Sequence, residues 1–138
     1  MSKRIVILEI PAPEFNPVRK RATGKLKEVN PWINANVREH RHQVVKKTAA
    51  WRKAAAERSA DIPPFTGQVQ IIAHIYKRRG GIYDPNNLNM TTKAIVDGLV
   101  DSGVLAADDY HHVLGPDHRH GGIGKPQVIF EIIESRTQ

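Results

Sequence analysis

The stretch from Asp84 to Asp109 holds the residues of this sequence that are best suited to metal chemistry. It carries five aspartates in 26 residues, although the whole chain has a formal net charge of +7. Carboxylates are the hard oxygen ligands that hold Mg²⁺, and a divalent cation can offset charge and activate water at a phosphodiester. The stretch therefore predicts a metal site that acts on phosphate.

Side chains with oxygen atoms recur in this stretch at a turn, in a helix and in the loop that follows. The candidate metal ligands are Asp84, Asn86, Asp97, Asp108 and Asp109. The candidate catalytic residues are Asp84, Asp108, Asp109 and Lys93. Lys93 stands four residues before Asp97 on the same helix face, where it would steady the charge of a reacting phosphate or form a surface ion pair. We expect the turn and the loop to converge, because a helix joins them.

The positive charge is concentrated in the first part of the chain, which predicts a polyanionic partner. Residues 1–60 hold 14 Lys and Arg against 5 Glu, and residues 61–138 hold 7 against 9 acidic residues. A basic surface beside an acidic cluster fits nucleic acid, and the alternative is a helix that lysines keep soluble. The candidate DNA-binding residues are Arg38, Arg41, Lys46, Lys47, Arg52, Lys53, Lys77, Arg78 and Arg79.

Apolar periodicity and turn residues predict the elements that position these groups. We predict strands over 4–10, 67–79 and 128–133, a loop or hairpin over 18–27, a long basic helix over about 37–59 with Asn36 as N-cap, and a shorter helix from about 90–92 to Gly103. Residues 111–127 are expected to form a short strand and then a mobile loop. Trp51 lies on the apolar stripe of the long helix and is expected in the core, whereas Trp32 is a candidate for stacking on bases.

Together these elements predict a single domain over residues 1–138. Its class is α/β (α+β), with a small mixed sheet, a long basic helix and a second, shorter helix. The chain has no cysteine, and the apolar run that begins at Ile5 is interrupted by Glu9 before it could serve as a secretion signal. No segment is apolar for long enough to span a membrane. We therefore expect a soluble, cytoplasmic protein.

The order of the motifs resembles the RusA family of Holliday-junction resolvases, particularly its phage-like members. The matching segments are "DPNNL", "KAIVDGLVDSGVL" and "ADD", and the likeness extends back to the basic helix near "NPWINAN". The resemblance implies a RusA-like fold, a homodimer, a basic face for branched DNA, and paired nicking of a four-way junction with Mg²⁺ or Mn²⁺. Such an enzyme would act in a bacterial or phage-infected cell, in recombination or repair.

The resemblance also assigns roles to single residues. Asp84 resembles the first metal-binding aspartate of the family and Lys93 its catalytic lysine, and Asp108 or Asp109 resembles the last metal ligand. Asn86 stands where the family often has a second aspartate, and Lys93 follows the motif at a longer spacing than the family's. These two departures bear on activity more than on the fold.

Two other functions compete with the nuclease. The first is a DNA-binding protein of the same fold that holds branched or duplex DNA without cutting it, which the missing carboxylate at Asn86 favours. The second is a zinc protein built on the histidines of "HHVLGPDHRH", which are His111, His112, His118 and His120. Their spacing matches no closed tetrahedral zinc site, so a polar loop is the simpler interpretation.

Overall fold

The computed structural model describes residues 2–136. The elements in chain order are β1 (Ser2–Pro11), β2 (Val18–Arg19), β3 (Leu26–Lys27), α1 (Arg41–Arg58), β4 (Val69–Lys77), a 3₁₀ turn (Pro85–Leu88), α2 (Asn89–Asp101), β5 (Val113–Ile123) and β6 (Gln127–Arg136). β2 and β3 form a two-stranded antiparallel hairpin. The predicted α+β class and mixed sheet are confirmed.

The main sheet has four strands in the order β1-β6-β4-β5. β6 pairs antiparallel with both β1 and β4, whereas β4 and β5 are parallel. Parallel neighbours need a crossover, and α2 supplies it between β4 and β5. The sheet is therefore mixed because β5 follows α2 and runs parallel to β4, whereas β6 follows β5 directly and runs antiparallel to its neighbours.

The core lies between one face of the sheet and the two helices. Strand residues at alternate positions of β4 are buried, from Val69 to Ile75, as the period of two predicts. Trp51 of α1 is fully buried, and its indole nitrogen donates to the Pro31 carbonyl oxygen at 2.8 Å. The core position predicted for Trp51 is confirmed. No helix within residues 2–136 is long and apolar enough to cross a membrane.

The long helix begins four residues later than predicted. α1 starts at Arg41 and its N-cap is His40, so the prediction of Asn36 as N-cap was wrong. The preceding segment is held by α2 and the turn before it, because Ile33 N donates to Thr91 Oγ1 at 2.9 Å and Ala35 N donates to the Asn87 carbonyl oxygen at 2.8 Å. Residues next to this anchored segment form a turn instead of the first helical turn, and in it Val37 N donates to the Asn34 carbonyl oxygen at 3.1 Å.

The prediction of a mobile loop after Asp109 was also wrong, since β5 is an eleven-residue strand. Its glycines and proline are typical of loops, yet pairing with β4 satisfies its backbone along one edge. Gly121 has a specific packing reason, because a Cβ there would lie 2.6 Å from the Tyr76 ring. The glycine lets Tyr76 lie against the edge strand.

Trp32 is not available to stack on bases. It is 6% exposed, and its ring lies 5.4 Å from that of Trp51 between centroids. Both tryptophans therefore belong to the core, and the stacking role predicted for Trp32 was wrong.

Candidate metal site and nucleic-acid surface

Asp84 is the N-cap of the 3₁₀ turn that leads into α2, and Asn86 lies within that turn. The Asp84 carboxylate caps this turn by accepting a hydrogen bond from Asn86 N at 2.9 Å, and Pro85 occupies the first position of the turn. Both side chains are exposed. The "DPNN" segment thus begins the 3₁₀ turn. Only one carboxylate oxygen of Asp84 takes part in this cap.

Lys93, Asp97 and Asp108 meet at one point beside α2. The Lys93 ammonium donates to Asp97 Oδ1 at 2.9 Å and also to Asp108 Oδ2. Asp97 lies one helical turn after Lys93, whereas Asp108 comes from the loop that follows the helix. Two carboxylates from different elements therefore share a single cation.

This arrangement changes the ionisation of its members. The pKa of Lys93 is raised, first by the hydrogen bond to Asp108 and then by that to Asp97. The pKa of the Asp108 carboxyl is lowered, mainly by the same hydrogen bond from Lys93. Lys93 is therefore cationic and Asp108 anionic at neutral pH.

An open cavity of about 540 Å³ adjoins this cluster. Its polar lining includes Lys93, Asp97, Asp108 and His118, and its apolar lining includes Met90 and Val113. Of the predicted site residues, Lys93, Asp97 and Asp108 therefore line the cavity, whereas Asp84, Asn86 and Asp109 do not.

His118 is a cavity residue that sequence reasoning placed in a loop. It lies on β5, and its Nε2 is 2.7 Å from the Thr92 Oγ1 of α2. Burial lowers the pKa of the imidazole, while the charges of Asp117 and Asp84 oppose this effect. His118 is therefore mainly neutral at neutral pH, and Asp84 is near enough to act on it. Residues 117–120 are polar throughout, so the sequence has no apolar alternation there that would identify a strand.

The two adjacent aspartates have different surroundings. Asp108 faces Lys93, whereas Asp109 Oδ1 accepts from His111 N at 3.0 Å and lies 2.6 Å from His112 Nδ1. The hydrogen bond to His112 is the main cause that lowers the pKa of Asp109. Asp109 thereby caps the turn that enters β5. Of the pair, Asp108 is the one at the cavity.

The histidines do not form a common site. His112 contacts Asp109, His118 contacts Thr92, and His120 Nδ1 lies 2.7 Å from the Tyr83 hydroxyl. Within residues 2–136, no group of three or more His, Asp or Glu side chains is arranged to hold a metal ion. The described residues therefore contain neither a preassembled zinc site of histidines nor a preassembled set of three carboxylate ligands.

The predicted DNA-binding residues fall into two groups. The exposed ones that form no salt bridge within the described residues are Arg38, Arg41, Lys46 and Arg79. The others have partners: Arg52 with Asp101 at 2.5 Å, Lys53 with Glu57 at 3.8 Å, Arg78 with Glu28 at 3.3 Å, Lys77 over the Tyr83 ring, and Lys47 with Glu39 at 2.5 Å. The hydrogen bond to Asp101 raises the pKa of Arg52.

Lys47 does not lie on the basic surface to which the sequence assigned it. It is 3% exposed, and besides Glu39 it contacts the Trp32 carbonyl oxygen at 3.4 Å. Sequence reasoning also left the hairpin out of the candidate surface. The hairpin segment carries five exposed basic residues, namely Arg19, Lys20, Arg21, Lys25 and Lys27. The charge run itself was the signal that could have included them.

We expect the variants Lys46→Ala and Lys47→Met to distinguish an exposed lysine from a buried lysine that stabilises the fold. If this surface binds DNA, Lys46→Ala should weaken the binding and reduce the slope of log affinity against log salt by about one, the effect of losing one phosphate contact. Lys47→Met should leave that slope unchanged and lower the stability, because Glu39 loses its partner. Salt titrations of DNA binding and urea unfolding measure the two effects. Equal slopes for Lys46→Ala and the wild type would remove Lys46 from the binding surface.

No protein-family model matches the chain, and no curated protein matches it in sequence. The residues of the site themselves therefore carry the argument about function.

Proposed function

We propose that this protein is a divalent-metal-dependent endodeoxyribonuclease of the RusA-like type. It would nick four-way junctions in pairs, acting as a homodimer on branched DNA in the cytoplasm. The observation that carries the proposal is the meeting of Asp97 and Asp108 at the Lys93 ammonium beside an open cavity. The order of motifs around Asp84 supports it, as does the exposed positive charge of α1 and the hairpin.

The donor set suits Mg²⁺ or Mn²⁺ more than zinc. Mg²⁺ in phosphoryl-transfer sites is bound through one or two carboxylates together with substrate phosphates and water, so a cage of three protein ligands is not required. The Lys93 ammonium already occupies the position of a cation between the two carboxylates. Asp97 and Asp108 would hold the metal, with Asp84 and Asn86 as further oxygen donors nearby. A bound divalent cation would offset the charge that develops at the phosphodiester and promote ionisation of the attacking water.

The remaining residues have roles that follow from their charge and placement. Lys93 is held cationic by its two carboxylate partners, and a metal that replaced it between Asp97 and Asp108 would release its ammonium to neutralise a phosphate oxygen in the cavity. His118 is mainly neutral and therefore able to accept a proton or a hydrogen bond at the cavity wall. Arg41, Lys46 and their exposed basic neighbours would hold the DNA backbone without reading its sequence.

A non-catalytic DNA-binding protein is the second candidate. Asn86 stands where a second carboxylate would strengthen the metal site, and the described residues contain no preassembled group of three ligands. In this alternative Lys93, Asp97 and Asp108 form a structural ion-pair cluster. DNA binding would then persist without any metal requirement.

Incubation of the wild type with a synthetic four-way junction and with a linear duplex of the same sequence tests the proposal. We expect nicks in the junction with Mg²⁺ or Mn²⁺, no nicks with a chelator, and little cutting of the duplex. A gel-shift assay with the chelator present measures binding separately. Junction binding without products under either metal would overturn the nuclease and support the binding protein.

A further inference from the structure

A second cavity, of about 380 Å³, lies between the hairpin and the N-terminal part of α1, and the proposed reaction does not use it. Its volume falls within the range of roughly 300–1,000 Å³ that small-molecule sites occupy. Val18 and Lys27, which pair across the hairpin, line it together with Lys77 at the end of β4. Val18 and Lys27 are exposed, so the cavity is accessible from solvent.

Two asparagine side chains of this cavity present hydrogen-bond donors. Asn30 Oδ1 accepts from Trp32 N at 2.9 Å, and Asn34 Oδ1 accepts from Asn36 N at 2.8 Å. Because a backbone N–H can only donate, these bonds fix the orientation of both amides, with the oxygen towards the backbone. The amide NH₂ groups have no partner within residues 2–136. Both side chains line the cavity, so a ligand there would meet these donors.

Lys47 adds a charged donor to the same cavity. Its side chain is 3% exposed and lines the cavity, and its ammonium donates to Glu39 Oε2 at 2.5 Å and to the Trp32 carbonyl oxygen at 3.4 Å. An ammonium has three N–H donors, so one of them remains without a partner among the described residues. A buried donor without a partner costs free energy, which favours a ligand that carries an acceptor.

Valine side chains form an apolar part of the cavity wall, namely Val18, Val29 and Val37. A flat ligand with carbonyl oxygens and an apolar group would suit this combination of donors and valines. Among the bases of DNA, thymine has this chemistry, because it carries two carbonyl oxygens and a methyl group. The other three bases each carry an amino group, which is a donor and would face the donors of the cavity.

We propose that this cavity binds an unpaired thymine at the branch point of the DNA. The base must leave the stack to enter a cavity, and an unpaired base does so at the least cost. The exposed basic residues of the hairpin, of which Lys27 lines the cavity, would hold the phosphates on either side. This inference rests on the proposed function for branched DNA as the partner. It deepens that function by adding a site that recognises a base.

The cavity is joined to the candidate metal site through the segment that carries Asn34. This residue lies between Ile33 and Ala35, whose backbone N–H groups bond to Thr91 of α2 and to Asn87 of the turn before it. One wall of the cavity is therefore anchored on the elements that carry the candidate metal ligands. A base held in the cavity would keep its own strand close to these elements.

Two four-way junctions that differ in a single base test the proposal. One junction carries an unpaired thymine at the point of strand exchange, and the other carries an abasic site at the same position with the same phosphates. Gel-shift titrations with a chelator present should give an affinity about tenfold higher for the thymine junction, the effect of well-placed contacts to one base. Equal affinities would overturn the proposal, because attraction for phosphate alone would then account for binding.

Asn34→Asp and Asn36→Asp form a matched pair, because each adds one negative charge and only Asn34 lines the cavity. A carboxylate at position 34 keeps an oxygen for the bond from Asn36 N, but it replaces the amide donor by a group that repels carbonyl oxygens. Asn34→Asp should therefore abolish the preference for the thymine junction. Asn36→Asp should retain the preference and lower the affinity for both junctions alike. A preference that persists in Asn34→Asp would overturn the cavity as the binding site.

Val37→Asp and Val45→Asp test the apolar wall in the same way. Val37 is 61% exposed and Val45 60%, but only Val37 lines the cavity. Val37→Asp should abolish the preference for thymine, because a carboxylate would replace the apolar contact with the methyl group. Val45→Asp should leave the preference unchanged, and the reverse result would overturn the proposal. Circular dichroism and urea unfolding verify that all four variants fold.

The outcomes separate this proposal from the nuclease, because binding is measured without metal. A wild type that prefers the thymine junction but never nicks a junction with Mg²⁺ or Mn²⁺ supports the cavity site and overturns the nuclease. A wild type that nicks junctions but binds the thymine and abasic junctions equally overturns the cavity site and supports the nuclease. Metal-dependent nicking together with a preference that is lost in Asn34→Asp supports both.

Discussion

Asp108→Asn is expected to lower the rate of Mg²⁺-dependent nicking of a four-way junction by about 100-fold or more, the effect of losing one electrostatic contact at a reacting centre. The asparagine keeps the shape of the side chain but removes the charge that Asp108 shares with Asp97 around one cation. Junction binding should be retained, because the loss of a negative charge does not weaken attraction for phosphate. Single-turnover cleavage and a gel-shift assay measure the two properties.

Neighbouring aspartates supply the controls for this prediction. Asp84→Asn should cause a comparable loss of nicking, because Asp84 lies at the start of the same motif and acts on His118 at the cavity. Asp109→Asn should retain most of the activity, since its carboxylate caps a turn through His111 and His112. Asp61→Asn, an equal charge change at an exposed position outside the cavity, should have no effect. If Asp109→Asn abolished nicking while Asp108→Asn did not, the assignment within the pair would be reversed.

Local signals in the sequence were enough to predict most elements of the fold. Alternation from Val69 to Ile75 specifies a half-buried strand, and "DPNN" begins a turn because Asp84 caps it. The same reasoning failed where tertiary contacts override local preference. Residues 37–40 lie outside α1, next to a segment over 33–35 that bonds to α2 and the turn before it, and β5 depends on pairing with β4.

The sequence indicated which types of residue form the candidate site, but only part of their spatial arrangement. The convergence of Asp84 with Asp108 or Asp109 at one metal ion stays a prediction, whereas the structure brings Asp97 and Asp108 together at the Lys93 ammonium. Spacing along the chain could not distinguish Asp108 from Asp109, because adjacent residues in a loop point in directions that only the fold determines. Helix position did carry the signal for Lys47, because Lys47, Trp51 and Ala55 are spaced by four residues and are the buried residues of α1.

The packing of the two helices depends on Gly98, and its replacement gives the second large expected effect. Gly98 is buried in α2, where a Cβ would lie 2.7 Å from the Ala55 Cβ and would overlap the carbonyl oxygen of Arg52. Helix propensity alone predicts that Gly→Ala stabilises by about 1 kcal/mol. Overpacking in a close-packed interior costs about 1–3 kcal/mol, and backbone atoms yield less readily than side chains.

We therefore expect Gly98→Ala to destabilise the protein by about 2 kcal/mol, because an overlap with backbone that costs about 3 kcal/mol, the upper end of that range, outweighs the gain of about 1 kcal/mol in helix propensity. For a domain of this size the loss should lower the melting temperature by roughly 6–10 °C. Gly124→Ala is the matched control, since a Cβ there meets nothing within 4 Å, and it should leave unfolding unchanged. Urea and thermal unfolding measure both variants. A Gly98→Ala protein as stable as the wild type would mean that α1 and α2 can move apart at little cost. The cavity beside Lys93, which α2 forms together with β5, could then change its shape at similarly little cost.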